Sequence, residues 1–165
     1  MKKLLIFILV AVAATVASII VLHPDQRSDL ERFREAMNFA VFDQYTDSVY
    51  GHSFSYPSFF QKEEDPVPIN GHTQFGYHAH NLNLVMECRV VATSGQEAKM
   101  GDFIDTGSVD FMDDYKYYSH HIYKGRHHLI LTFYYPRKAE SAMGRVIYRI
   151  KNWEPFPTKK LPLRQ

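Results

Sequence analysis

Residues Leu82–Thr93 read LNLVMECRVVAT, and this stretch sets the fold class of the chain. Apolar side chains recur in it at every second position, which is the period of a strand with one buried face. A glycine at position 95 ends the pattern. The stretch therefore predicts a half-buried strand whose apolar side consists of Leu82, Leu84, Met86, Cys88, Val90 and Ala92.

Further strands are predicted on both sides of this stretch. His52–Pro57 alternates aromatic residues with serines, and Thr73–His80 alternates apolar residues with glutamine and histidine. Tyr117–Tyr135 has the pattern of two strands joined by a tight turn, which we place at Lys124-Gly125. The middle of the chain is therefore expected to form a mainly antiparallel sheet.

Helices are predicted at both ends of this sheet region and in one segment between its strands. Ser28 and Glu31 form a capping-box pattern that begins an amphipathic helix. Gln96–Asp114 is expected to be helical in pieces, with Ser108 as an N-cap. These elements predict an α+β domain, a mainly antiparallel sheet flanked by helices. A last helix runs to about Asn152, and its apolar side consists of Ala139, Ala142, Met143, Val146, Ile147 and Ile150.

Composition excludes several classes of protein. The chain has 165 residues, a formal net charge of +1, nine histidines and one cysteine. A nucleic-acid-binding module normally shows a basic excess, so we expect no nucleic acid as a partner. A single cysteine excludes a disulfide scaffold and a zinc site built from several cysteines. Because Cys88 shares its strand side with apolar residues, we expect a buried and unreactive thiol.

The N-terminus predicts export. Lys2 and Lys3 precede the uncharged run Leu4–Leu22, which is long enough to cross a bilayer as a helix. An uncleaved anchor would give a single-pass protein of the bacterial inner membrane with a periplasmic domain. Cleavage as a signal peptide, the less favoured alternative, would release the domain into the periplasm.

Four segments follow from these patterns. Residues 1–22 are the membrane anchor or signal segment, and residues 23–47 are an amphipathic juxtamembrane helix and linker. Residues 48–153 form the α+β domain. Residues 154–165 form a basic tail rich in proline, which we expect to be extended or disordered.

One part of the chain resembles a known family. Tyr50–Phe60 reads YGHSFSYPSFF and resembles the G-F-S-x-x-Y-P strand that opens PsbP-like domains. Pro68–Gly71 is similar to a turn in exported bacterial members of that family, and Tyr134–Pro136 occurs in the expected order. The resemblance covers Tyr50–Trp153. The chain departs from the pattern at His52, where an apolar residue is usual.

The resemblance implies a sheet sandwiched between helices. It also implies an accessory or binding module, since the relatives share no catalytic residue set. Many exported bacterial members have no known role. We therefore carry no active site across to this chain, because a fold by itself does not assign an activity.

Histidines are the candidate metal ligands. His78 and His80 would share one face of a strand, and the predicted hairpin places His121 opposite His128. Four imidazoles on one sheet face would make a zinc or copper site. The alternative is that they are exposed strand residues that bind no ion.

These observations predict an exported accessory or binding module that is tethered to the membrane, with no evident catalytic activity. Its expected partner is an envelope protein, contacted through an aromatic sheet face or the proline-rich tail, and its N-terminal helix would hold it in the inner membrane. The alternative function is a periplasmic protein that binds zinc or copper through histidines.

Overall fold

The computed structural model describes residue 12 and residues 27–66, 69–93, 101–110 and 112–156. The predicted anchor therefore lies outside the described residues, apart from Val12. Within the described part, no helix is long and apolar enough to span a membrane. The helices are α1 (Asp29–Phe39), α2 (Gly144–Lys151) and a 3₁₀ helix at Arg137–Ala142. The strands are β1 (Phe42–Thr46), β2 (Ser53–Pro57), β3 (Gln61–Glu63), β4 (His72–Ala79), β5 (Leu82–Ala92), β6 (Phe103–Ser108), β7 (Tyr115–Lys124) and β8 (His127–Pro136).

The strands form two antiparallel sheets. β1 and β2 pair as a separate hairpin, and the other strands form one six-stranded sheet in the order β3-β4-β5-β8-β7-β6. β5, the strand predicted from the opening stretch, lies near the middle of this sheet. The predicted α+β class with a mainly antiparallel sheet is confirmed.

A single hydrophobic core lies on one face of the six-stranded sheet, which we call the inner face. β5 and β8 contribute Leu84, Met86, Leu131 and Phe133 to this core. Both α-helices pack on the same face through Phe33, Met37, Val146 and Ile150. The resemblance implied helices on both faces, whereas the described helices pack on the inner face alone. The opposite face, which we call the open face, carries Gln74, Glu87, Thr132, Ser119 and Asp105.

The helix α1 begins where the sequence predicts. The Ser28 hydroxyl accepts the amide N–H of Glu31, and the Glu31 carboxylate accepts the amide of Ser28, so the capping box is formed. The segment 23–47 was expected to be a juxtamembrane helix and linker. Within this segment, α1 contributes Phe33 and Met37 to the core, and β1 pairs with β2.

Two of the predicted helical segments are wrong. Gln96–Asp114 was expected to be helical, but Phe103–Ser108 forms strand β6, in which Ser108 is the last residue and no N-cap. Pairing with β7 supplies the backbone hydrogen bonds that local sequence did not indicate. The last helix is also interrupted, because the 3₁₀ turn ends before α2 begins at Gly144.

The β7–β8 hairpin turns one position later than predicted. Lys124 pairs with His127, so the turn consists of Gly125 and Arg126. Gly125 has a φ of +62°, which a type II′ turn requires at its first central position and which glycine adopts without strain. As a result, His121 lies opposite Ile130 and not opposite His128.

Candidate functional site

A polar row of side chains crosses the open face. Strand register aligns Glu87 of β5 with Thr132 of β8, Thr132 with Ser119 of β7, and Ser119 with Asp105 of β6. Gln74 extends the row onto β4. Side chains that are paired in this way stand on the same face of a sheet and contact their neighbours.

The middle of this row is a groove, because its side chains are small. Ser119 and Thr132 are buried, and their hydroxyl groups lie 2.8 Å apart in a hydrogen bond. Larger side chains on the neighbouring positions stand above them, which leaves a groove of about 420 Å³. We call it the open-face groove, and its walls include Arg89, Tyr117, His121, Ile130 and Tyr134.

A network of charged groups holds Glu87 at one end of the groove. Glu87 is 3% exposed, and its Oε1 lies 2.6 Å from Nε2 of His72. Nδ1 of His72 lies 2.6 Å from Asp65 Oδ2, and Arg89 donates a hydrogen bond from Nε to Glu87. Desolvation lowers the pKa of His72, but the hydrogen bonds to Asp65 and Glu87 outweigh it and raise that pKa. A buried carboxylate needs such partners.

The other end of the groove is acidic. The Tyr117 hydroxyl donates a hydrogen bond of 3.1 Å to Asp105, and this bond raises the pKa of Tyr117. Asp110 lines the same side. Between positions 101 and 114 the chain has five aspartates and no lysine, arginine or histidine. This end of the groove therefore attracts positively charged groups.

The structure brings together two of the four histidines that were predicted as metal ligands. His121 Nδ1 lies 3.0 Å from His128 Nε2, and His121 also stacks on Phe103 with ring centroids 4.4 Å apart. Burial, and next the neighbouring His128, lower the pKa of His121. The shifted hairpin register makes the two histidines diagonal neighbours on the open face.

His78 and His80 lie far from this pair. His78 is paired with Asn83 of β5 and contacts the Glu63 carboxylate at 2.6 Å, whereas His128 is paired with Val91 of the same strand. Eight positions on a strand span about 26 Å. The four imidazoles therefore do not form one site, because the strand register holds them at opposite ends of the sheet.

The described residues contain no group of three or more histidine, cysteine, aspartate or glutamate side chains that could hold a metal ion. Two imidazole nitrogens on a tetrahedral zinc ion are about 3.3 Å apart. The separation of 3.0 Å between His121 and His128 is close to that spacing. These two side chains could therefore supply two ligands to an ion.

Cys88 lies on the inner face, where it is fully buried. Burial strongly raises the pKa of its thiol, with smaller contributions from Asp47 and Glu87. The predicted buried cysteine is confirmed.

The groove combines two kinds of polar group. Glu87 and the Ser119–Thr132 pair are already hydrogen-bonded within the protein, which makes the floor of the groove a fixed surface. The acidic end and the aromatic walls are more accessible, and they can hold a cationic or hydroxyl-bearing group by hydrogen bonds and cation–π contacts. This arrangement is suited to binding.

Comparison with known proteins yields no match to a family model, a curated protein or a solved structure. Fold and site together define the class as an α+β protein with a polar groove on an open antiparallel sheet face.

Proposed function

We propose that this chain is an exported, membrane-tethered accessory module that binds an envelope protein partner in its open-face groove. The PsbP-like resemblance and the predicted anchor Leu4–Leu22 support the accessory role and the location. The observation that carries the proposal is the groove itself. It lies on a sheet face that no described helix covers, and its floor is fixed by internal hydrogen bonds.

The partner segment that fits this groove carries lysine or arginine. Asp105 and Asp110 give one end of the groove a negative charge. Tyr117 and Tyr134 on its walls offer aromatic surfaces for a cation. Electrostatic complementarity of this kind determines which partner binds and how fast it associates.

Charge reversal tests the proposal. The full chain would be crosslinked in its native membranes and purified, in parallel with Asp105→Lys and with Asp43→Lys. Asp43 is also an exposed strand aspartate, but it lies in β1, outside the six-stranded sheet. We expect one reproducible partner with the natural chain and with Asp43→Lys, and its loss with Asp105→Lys. Equal recovery with both variants, or no partner with any of the three proteins, would reject the groove as the binding site.

The second candidate function is binding of zinc or copper, which the contact between His121 and His128 favours. This function is tested by titrating the full chain with each metal while the NMR signals of the imidazoles are monitored. We expect binding to be lost in His121→Ala and retained in His78→Ala. Retention in His121→Ala, or the absence of any change at these imidazoles, would reject it.

A further inference from the structure

Strand β6 has an unpaired edge. It pairs with β7 on one side and ends the six-stranded sheet on the other, where no described residue pairs with it. The Val109 N–H donates to the Tyr115 carbonyl at 3.0 Å, which shows that position 109 faces β7. Since backbone groups alternate sides along a strand, those of Ile104, Thr106 and Ser108 face the free edge.

The charge of this edge disfavours pairing with a second copy of the chain. Asp102 and Asp105 belong to the aspartate-rich stretch around β6. Two such edges side by side would bring like charges together across the strands, which is destabilising. An occupant with basic side chains avoids this repulsion. The edge also exposes Phe103 and Ile104, which are 37% and 38% accessible.

The chain itself contains a segment of the required charge. Residues 157–165 read PTKKLPLRQ, with three basic residues and no acidic residue. The last described residue, Phe156, lies with its ring 4.9 Å from Nζ of Lys124 at the end of β7. The neighbouring Tyr123 donates its amide N–H to Asp102, just before β6 begins. The segment 157–165 therefore starts at the end of the sheet where β6 starts.

We propose that residues 157–165 add to the free edge of β6 as a further, parallel strand. Nine extended residues reach about 30 Å, whereas a six-residue strand is about 20 Å long. Pro162 has no N–H to donate, so its backbone would face away from β6. The backbone groups of Lys159, Leu161 and Leu163 then face the edge and pair with those of Ile104, Thr106 and Ser108.

Amide hydrogen exchange tests this pairing in the full chain held in detergent micelles. The natural chain would be compared with a variant that ends at Phe156. We expect exchange at Ile104, Thr106 and Ser108 to be about tenfold faster in the shortened variant. The amides of Asp105 and Gly107, which face β7, would exchange equally in both chains.

Charge reversal provides a second test without shortening the chain. We expect Lys159→Glu combined with Lys160→Glu to speed exchange at the same three edge amides. Lys151→Glu, a reversal at the end of α2, would leave those amides unchanged. Equal exchange at the edge amides in all of these proteins would overturn the proposal. Equal acceleration of exchange at the edge amides and at the amides that face β7 would also overturn it. So would protection of the edge amides that rises with protein concentration, because it indicates pairing with the tail of a second copy.

Discussion

The imidazole of His72 holds the carboxylate of Glu87 at 2.6 Å, and this contact fixes one end of the open-face groove. The same ring contacts Asp65 with its other nitrogen, so it links the segment after β3 to the centre of the sheet. Glu87 is 3% exposed. It can lie buried in the floor of the groove because His72 and Arg89 balance the charge of its carboxylate. The shape of the groove thus depends on the contact between His72 and Glu87.

The His72 contact makes stability depend on pH. The pKa of His72 is raised above its ordinary value of 6.5, so the folded chain holds this proton more tightly than the unfolded chain does. Its contribution is complete below pH 6.5 and is lost as the pH rises through the folded pKa. We expect His72→Gln to lower the free energy of unfolding by about 1–3 kcal/mol at pH 6 and by less at higher pH.

His78→Gln is the matched control for this prediction. His78 makes a similar contact of 2.6 Å with Glu63, but its side chain is 54% exposed. Solvent screens such a surface pair, so its removal is expected to change stability by less than about 1 kcal/mol. Urea denaturation of both variants between pH 5 and 9 gives the comparison. A pH-independent loss in His72→Gln would contradict the prediction.

His52 should destabilise the fold. It is 1% exposed, and neither ring nitrogen has a hydrogen-bond partner among the described residues. Burial lowers its pKa, which the nearby Asp47 only partly offsets. An unpartnered buried polar group costs about 1–3 kcal/mol, so we expect His52→Leu to raise the free energy of unfolding by about 1 kcal/mol.

The two histidines affect stability with opposite dependence on pH: His72 stabilises the fold at low pH, whereas His52 destabilises it there. Because the folded pKa of His52 lies below 6.5, the unfolded chain binds the proton more readily and acid destabilises the natural protein. The benefit of His52→Leu should therefore grow as the pH falls below 6.5. His80→Leu, at an exposed histidine, is the control and should change stability by less than about 0.5 kcal/mol. An equal effect of both substitutions would refute the prediction.

Arg145 fixes the end of α1. Its guanidinium donates hydrogen bonds to the carbonyls of Met37, Asn38 and Ala40, which lie at the C-terminal end of the helix, where carbonyls lack the amide partner four residues on. We expect Arg145→Ala to lower the free energy of unfolding by about 1–3 kcal/mol, measured by urea denaturation. Arg34→Ala removes only one long hydrogen bond and should cost less than about 1 kcal/mol. A smaller loss for Arg145→Ala than for Arg34→Ala would be inconsistent with this role.

The thiol of Cys88 should be inert in the folded protein. Complete burial and a raised pKa keep it protonated and inaccessible. We expect alkylation by iodoacetamide to be negligible in buffer and complete in denaturant, as measured by mass spectrometry. Rapid alkylation of the native protein would show that β5 opens readily.

Local patterns in the sequence predicted much of the fold. The capping box at Ser28 predicts the start of a helix, and the alternation in Leu82–Thr93 predicts a strand. Both structures depend on residues that are close in sequence, and both predictions are confirmed. His52 was noted as polar where the resembled family has an apolar residue. The structure places its side chain in the interior of the fold.

The candidate site could not be predicted in the same way. Glu87, Thr132 and Ser119 are far apart in sequence, and only the pairing of β5, β8 and β7 aligns them. The local sequence of β6 did not indicate a strand, because Asp105 and Gly107 within it are residue types with low strand propensity. The strand forms because β7 supplies its hydrogen-bond partners.

Site-specific photocrosslinking tests binding in the open-face groove most directly. Benzoylphenylalanine would replace Tyr134, on the groove wall, or Tyr148, an aromatic residue of α2 that is 67% exposed. We predict one discrete adduct in native membranes from position 134, none from position 148, and loss of the first when Asp105→Lys is added. Adducts of equal yield from both positions, or none from position 134, would contradict the proposed binding site.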